Sequence, residues 1–252
     1  AEPMPNVSVA AVNAPGVIVF FDHVPAAYSR RGPSAFGGIK PDVAHFGGCA
    51  VDGNVRSGLL SLSPTGNLVS ESGTSYATPL VAKTMARYPL EVKDELSREM
   101  MIALLVHHAQ VPERLRTRAF ESLARDLVGF GVPQDAKTSL NGSSHSITIV
   151  FEEKIPKGKR LEFDFTWPAA LTDRGRCRGR GRLTLVTRPV LDSTHGHEVV
   201  RTQLDGHVMQ LGKQGKSKGG HFKAAHMPKQ LRAKKKLREP ELIRHALKWS
   251  PV

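Results

Sequence analysis

The stretch ESGTSYATP, residues 71–79, places a hydroxyl among small residues where an apolar pattern of helical period begins. Ser75 stands there with Gly73, Thr74 and Ala77 around it. The N-terminus of a helix offers unpaired N–H groups and a partial positive charge, so an oxyanion formed beside it is stabilised. Gly73 lets the chain turn sharply, and Ala77 leaves room for another backbone close by. Pro79 is expected in the first turn, where a missing N–H costs little. This arrangement suits acyl transfer through the Ser75 hydroxyl. The ordinary use of Ser or Thr at such a position is a helix N-cap, and the local chemistry taken alone favours that use.

Other residues able to do chemistry are less well placed. His107 and His108 fall in an apolar helical segment and read as packing or interface residues. His195-Gly196-His197 reads as a turn, and its spacing does not supply a metal-ligand set. Cys49 and Cys177 lie 128 positions apart, which is neither a disulfide framework nor metal spacing and favours a reducing, cytoplasmic compartment. The run RGRCRGRGR, residues 174–182, lacks interleaved aromatic residues for base stacking and leads into a strand-like segment, so a loop is favoured over an RNA-binding tract.

The elements that must position Ser75 are legible as periodicities. The 252 residues, 40% hydrophobic and 23% charged, describe a globular chain with room for one large domain or two ordinary ones. No apolar run approaches membrane-spanning length, and no membrane partner is expected. Residues 1–50 read as short β segments, NVSVAAV and GVIVFF among them, broken by turns. Ala77, Leu80, Val81, Thr84, Met85 and Tyr88 form one helical stripe, predicting an amphipathic helix of about four turns ending near Pro89. DELSREMMIALLVHHAQ predicts a second, buried helix, and ERLRTRAFESLARDL a third, closed by the GFGVP turn.

After about residue 142 the period changes to two. Ile147, Ile149 and Phe151 share one face of SITIVF; Leu161, Phe163, Phe165 and Trp167 share one face of RLEFDFTW. An antiparallel β-sandwich over residues 143–252 is the simplest expectation. The net charge of +13 is concentrated late: from Arg201 onward there are 13 Lys and Arg against 3 Asp and Glu. That segment, read as a long basic loop of the β module, predicts weak, salt-sensitive binding of polyanions.

At the level of motifs the chain resembles the subtilases, the subtilisin-like serine proteases. GTSYATP is similar to their G-T-S-x-A-x-P nucleophile motif, AAYSRRGPS to an S-x-x-G-P segment, and GGIKPDVAHFGG to a K-P-D-V-x-A-x-G stretch. NVSVAAV resembles the strand that enters the late core, and the helices and GFGVPQDA after Ser75 resemble the end of the catalytic domain. The resemblance covers residues 6 to 140 and reverses the reading of Ser75 from cap to nucleophile. It implies an α/β, three-layer parallel-sheet domain over residues 1–142. It also implies peptide-bond hydrolysis of a polypeptide substrate through an acyl-enzyme on Ser75, whose own N–H serves the oxyanion, while Gly73 and Thr74 shape the turn. No cofactor is implied for the reaction. Members often use calcium for stability, but no acidic calcium loop is evident.

The family's aspartate and histidine stand in D-[ST]-G and H-G-T-H-V-A-G contexts, and neither occurs in these 252 residues. The chain is therefore expected to begin inside the catalytic domain, with its base, orienting acid and oxyanion asparagine upstream, and to be cut at its C-terminus as well. Asn13 is the candidate oxyanion donor within the chain, although its segment aligns better with the strand that follows the asparagine. Asp42, in KPDV, matches a scaffold position. The alternative is a non-catalytic binding protein on the same scaffold, holding nucleic acid or an acidic partner through the basic segment.

Overall fold

The computed structural model describes residues 6–15, 22–32, 40–49, 58–141, 146–156, 158–165, 169–174, 176–177 and 181–188, and short pieces beyond (194, 204, 206, 208–211, 217–218, 250–251). The chain divides into two compact units, Ala1–Lys137 and Thr138–Val252. The sequence reading places the boundary at residue 142.

In the first unit two strands, β1 (Val9–Val12) and β2 (Val43–Phe46), pair in parallel with Val9 opposite Val43 and Val12 opposite Phe46. Parallel strands are buried on both faces and therefore carry unbroken apolar runs. VAAV does so. Ala10 and Val12 point to one side and pack with Ala44, Leu115, Ala124 and Val128, the last two from helix α3 (Glu121–Val128). Ala11 points to the other side and packs with Ala26 and with Ala77 of helix α1 (Thr74–Val92). The result is three layers, helix, parallel sheet and helix, a mixed α/β arrangement.

Helix α1 buries Ala77, Val81, Thr84 and Tyr88, the predicted stripe, with Leu80 and Met85 half-buried at its margins. It runs on past Pro89 to a left-handed cap at Lys93, whose N–H donates to the Pro89 carbonyl. Helix α2 (Arg98–His107) starts four residues later than the pattern suggests, because the Ser97 hydroxyl accepts from the Met100 N–H and caps it there. The predicted third helix is split: a single 3-10 turn, Glu113–Leu115, precedes α3.

The GFGVP turn closes α3 as expected and then hydrogen-bonds along the start of β2. Phe130 N–H donates to the Asp42 carbonyl at 2.8 Å, and Ala44 N–H to the Gly131 carbonyl at 2.9 Å. Gly129 and Gly131 have φ of 60° and 109°, and a side chain at Gly129 would run into the Asp42 carbonyl. Glycine is required there both by conformation and by space.

Between β2 and α1 lies an antiparallel hairpin, β3 (Leu59–Leu62) with β4 (Leu68–Glu71). Ser63 N–H donates to the Asn67 carbonyl, and Gly66, at φ 81°, makes the turn.

The expected β-sandwich is not shown among the described residues of the second unit. Among its described residues the strands are two residues long, as in the antiparallel pair Thr172–Asp173 with Arg176–Cys177. The residues expected on buried strand faces are exposed, Ile147 at 62% and Phe163 at 53%. Phe151 and Phe163 do stack, at 5.3 Å and 18°, so the alternation brings apolar side chains together without covering them. The physical reason is that a period of two specifies an apolar face but neither its pairing partner nor its cover. Trp167, His195, His197 and most of the basic segment fall outside the described residues.

Candidate active site

Gly73 is the N-cap of α1, making Thr74 and Ser75 its first two residues. No side chain caps the helix. The Thr78 hydroxyl, one turn on, donates back to the Thr74 carbonyl. Intrahelical bonding begins with the Tyr76 and Ala77 N–H groups, both donating to the Gly73 carbonyl. The N–H groups of Thr74 and Ser75 thus lack intrahelical acceptors and stand at the positive end of the dipole. Ser75 is exposed. The helix presents a hydroxyl and donors side by side, and the hydroxyl is not spent on capping.

Two expectations about this turn need correction. Pro79 lies in the second turn of α1, not the first, so its missing N–H leaves the Ser75 carbonyl without its i+4 donor. Gly73 has φ 164° and ψ 157°, extended backbone open to any residue. A Cβ added there would meet Tyr76 Cδ2 at an ordinary 3.4 Å. The sharpness of the turn does not demand glycine at that position.

The demand for glycine sits instead at Gly47, just beyond β2. A Cβ at Gly47 would lie 2.5 Å from Ala11 Cβ, 2.9 Å from the Gly73 carbonyl oxygen and 2.9 Å from the Tyr28 hydroxyl. The space is closed because Gly47 ties the site to the sheet: its N–H donates to the Val12 carbonyl at 3.0 Å, and its own carbonyl accepts from the Gly73 N–H at 2.8 Å. Ala77, fully buried against Ala11 and Ala26, lets α1 approach closely enough for that bond. The serine turn is therefore fixed at the C-terminal end of the parallel strands, where open α/β sheets place their ligand sites.

Tyr28, bonded to the glycines beside this turn, and His45 of β2 are two residues that sequence reasoning missed. Tyr28 reaches the Gly47 carbonyl at 2.6 Å and the Gly48 carbonyl at 2.7 Å. Burial first, partly offset by the Gly73 N–H and then reinforced by Cys49, pushes its hydroxyl up to about 12. Cys49 itself is a free thiol. His45 occupies the alanine position of the K-P-D-V-x-A-x-G pattern, and that departure was the signal available in the sequence. It lies in β2, and its Nδ1 accepts from the Phe46 N–H at 2.8 Å, leaving the proton on Nε2. Burial, and then the Lys83 charge on α1, push its imidazole below the usual value.

The remaining candidates have other surroundings. Asp42 is buried, and one of its oxygens accepts from the Ser8 N–H at 2.7 Å, the Ser8 hydroxyl at 2.8 Å and the Lys40 ammonium. Its carboxylate pins the entry of β1 to β2. Asn13 is buried just past β1, its N–H donating to the Val24 carbonyl and its carbonyl accepting from the His23 N–H. Its Oδ1 has no hydrogen-bond partner among the described residues. His107 and His108 stack edge to face at the end of α2, with ring centroids 4.9 Å apart. Among the described residues no group of three His, Cys, Asp or Glu is placed to hold a metal ion, and no helix is long and apolar enough to cross a membrane.

Residues 7–137 match the family model described as the Subtilase family. An uncharacterized protein of Sinorhizobium fredii strain NGR234, y4bN, is 27% identical to this chain over 154 residues. That match takes in 52% of this chain but 34% of the relative, so the chain spans about a third of the relative's length.

Proposed function

The chain belongs to the subtilase family, and on that premise we propose that it supplies the nucleophile, Ser75, of a subtilisin-type serine endopeptidase. The observation that carries this reading is an exposed, non-capping serine at the start of α1, with its own N–H unpaired in the first turn. In this reading a histidine removes the hydroxyl proton as Oγ attacks the scissile carbonyl. The carbonyl oxygen becomes an oxyanion and takes the Ser75 N–H at the helix terminus. Collapse of the tetrahedral species expels the amine, which leaves with the proton from the histidine, and water then hydrolyses the acyl-enzyme.

A serine hydroxyl is a poor nucleophile without a base, and an aspartate must orient that base. Because the two motif contexts are missing from these 252 residues, the proposal requires both groups from further polypeptide. Gly73 and Thr74 shape the turn, and a polypeptide is the substrate.

The test is fluorophosphonate labelling and peptide cleavage, comparing the 252-residue chain with the same chain joined to an upstream segment carrying the aspartate and histidine contexts. The short chain should stay unlabelled, because the triad members act as a unit. The extended chain should label and cleave. Ser75→Ala should abolish both while leaving stability within about 0.5 kcal/mol of wild type, since the hydroxyl caps nothing. Cleavage by extended Ser75→Ala would refute the assignment. An inert extended chain that binds polyanions with steep salt dependence would support the second reading, a scaffold that uses its 13 Lys and Arg after residue 200 for binding.

A further inference from the structure

The geometry points to Tyr28 as a positioning residue for the Ser75 turn, acting through the Gly47 carbonyl; this rests on the reading of Ser75 as nucleophile. Tyr28 is itself held on an anchored turn. The turn that carries it is fastened to β1 on both sides of Ala11: the Ala26 N–H donates to the Ala11 carbonyl at 2.9 Å, and the Ala11 N–H donates to the Ser29 hydroxyl at 3.0 Å. Ser29 N–H closes the turn onto the Ala26 carbonyl at 2.9 Å. The ring packs against Ala11, Ala26 and Ala77, so its direction is set by the same contacts that seat α1 on the sheet.

From that anchored position the hydroxyl lies at 2.6 Å from the Gly47 carbonyl and 2.7 Å from that of Gly48. One phenolic proton is shared between two carbonyls. The Gly47 carbonyl also receives the Gly73 N–H, at 2.8 Å. A single oxygen atom thus joins β1, through Tyr28, to the N-cap of α1, two residues before Ser75. Its lone pairs are directed by both donors, and removing one frees the carbonyl to rotate away from the other. The small displacement that follows matters at a nucleophile, because misplacement by about 1 Å can reduce a rate a hundredfold.

Phenylalanine at this position keeps the ring and its packing and removes the hydroxyl alone. The experiment uses Tyr28→Phe in the 252-residue chain and in the extended form described above. Amide exchange of the short chain is expected to rise about three- to tenfold at Gly73, whose N–H makes the bond to the Gly47 carbonyl, the factor that loss of one hydrogen bond gives, with Thr84–Tyr88 unchanged. In the extended form kcat is expected to fall about tenfold, with KM within twofold of wild type.

Unchanged exchange at Gly73 would overturn the proposal, as would an increase spread evenly through the first unit, which marks a merely structural tyrosine. Local loosening with kcat intact would overturn it too. An extended wild type that neither labels nor cleaves would defeat the protease reading, and exchange at Gly73 would then decide alone whether Tyr28 holds the turn.

Discussion

Replacing Gly47 with alanine should destabilise the first unit severely, although the change adds a single methyl group. The new Cβ would stand 2.5 Å from Ala11 Cβ and 2.9 Å from the Gly73 carbonyl oxygen, both fixed in packed backbone and unable to swing aside. Overpacking of this kind costs about 1–3 kcal/mol. Relieving it means moving the start of α1 off the sheet, which stretches the 2.8 Å bond from Gly73 N–H to the Gly47 carbonyl. Losing that bond adds about 1 kcal/mol, for a total of about 2–4 kcal/mol. At about 2–4 °C per kcal/mol for a chain of this size, the melting temperature should drop by about 5–15 °C. The matched control is Gly73→Ser, where the added Cβ has ordinary space and serine is a favourable N-cap, so the change should stay within about 0.5 kcal/mol. Scanning calorimetry on both variants checks the contrast. A Gly47→Ala melt within 2 °C of wild type, or an equal loss in Gly73→Ser, would refute the placement of the steric constraint at Gly47.

Two further outcomes follow from particular side chains. The fold holds the His45 imidazole below its usual value, so the neutral form is the one that fits. Its contribution to stability is fully present above the unfolded value of about 6.5 and is lost as pH falls from there through the lower folded value. Urea midpoints between pH 7.5 and 5.5 should fall more steeply for wild type than for His45→Ala, and parallel slopes would count against this. For Phe163, 53% exposed and stacked on Phe151, substitution by alanine should cost about 1 kcal/mol or less rather than the 3–5 of a core phenylalanine. A loss in the higher range, measured by denaturant unfolding, would reinstate the buried strand face that the alternation suggested.

What the sequence determined by itself is the set of requirements carried by consecutive residues. The stripe Ala77, Val81, Thr84, Tyr88 is a property of consecutive residues on one helix, and so its buried face could be read directly. The apolar run of β1 and the glycines of GFGVP likewise state local requirements, burial on two faces and positive φ. The turn of the hairpin before the serine turn is local as well, since SPTGN holds the Gly66 whose positive φ reverses the chain. Tertiary structure alone decided the rest. Whether Ser75 caps a helix depends on where the helix begins, and that was set by the bond from Gly73 to Gly47, 26 residues earlier. The need for glycine moved to Gly47 because Ala11, Tyr28 and Gly73 converge there from three different segments. His45 owes its lowered pKa to burial and to the charge of Lys83, 38 residues later on α1. The alternation from Ile147 to Phe165 named an apolar face, but covering that face needs a second layer, and no pattern within one strand specifies which segment provides it.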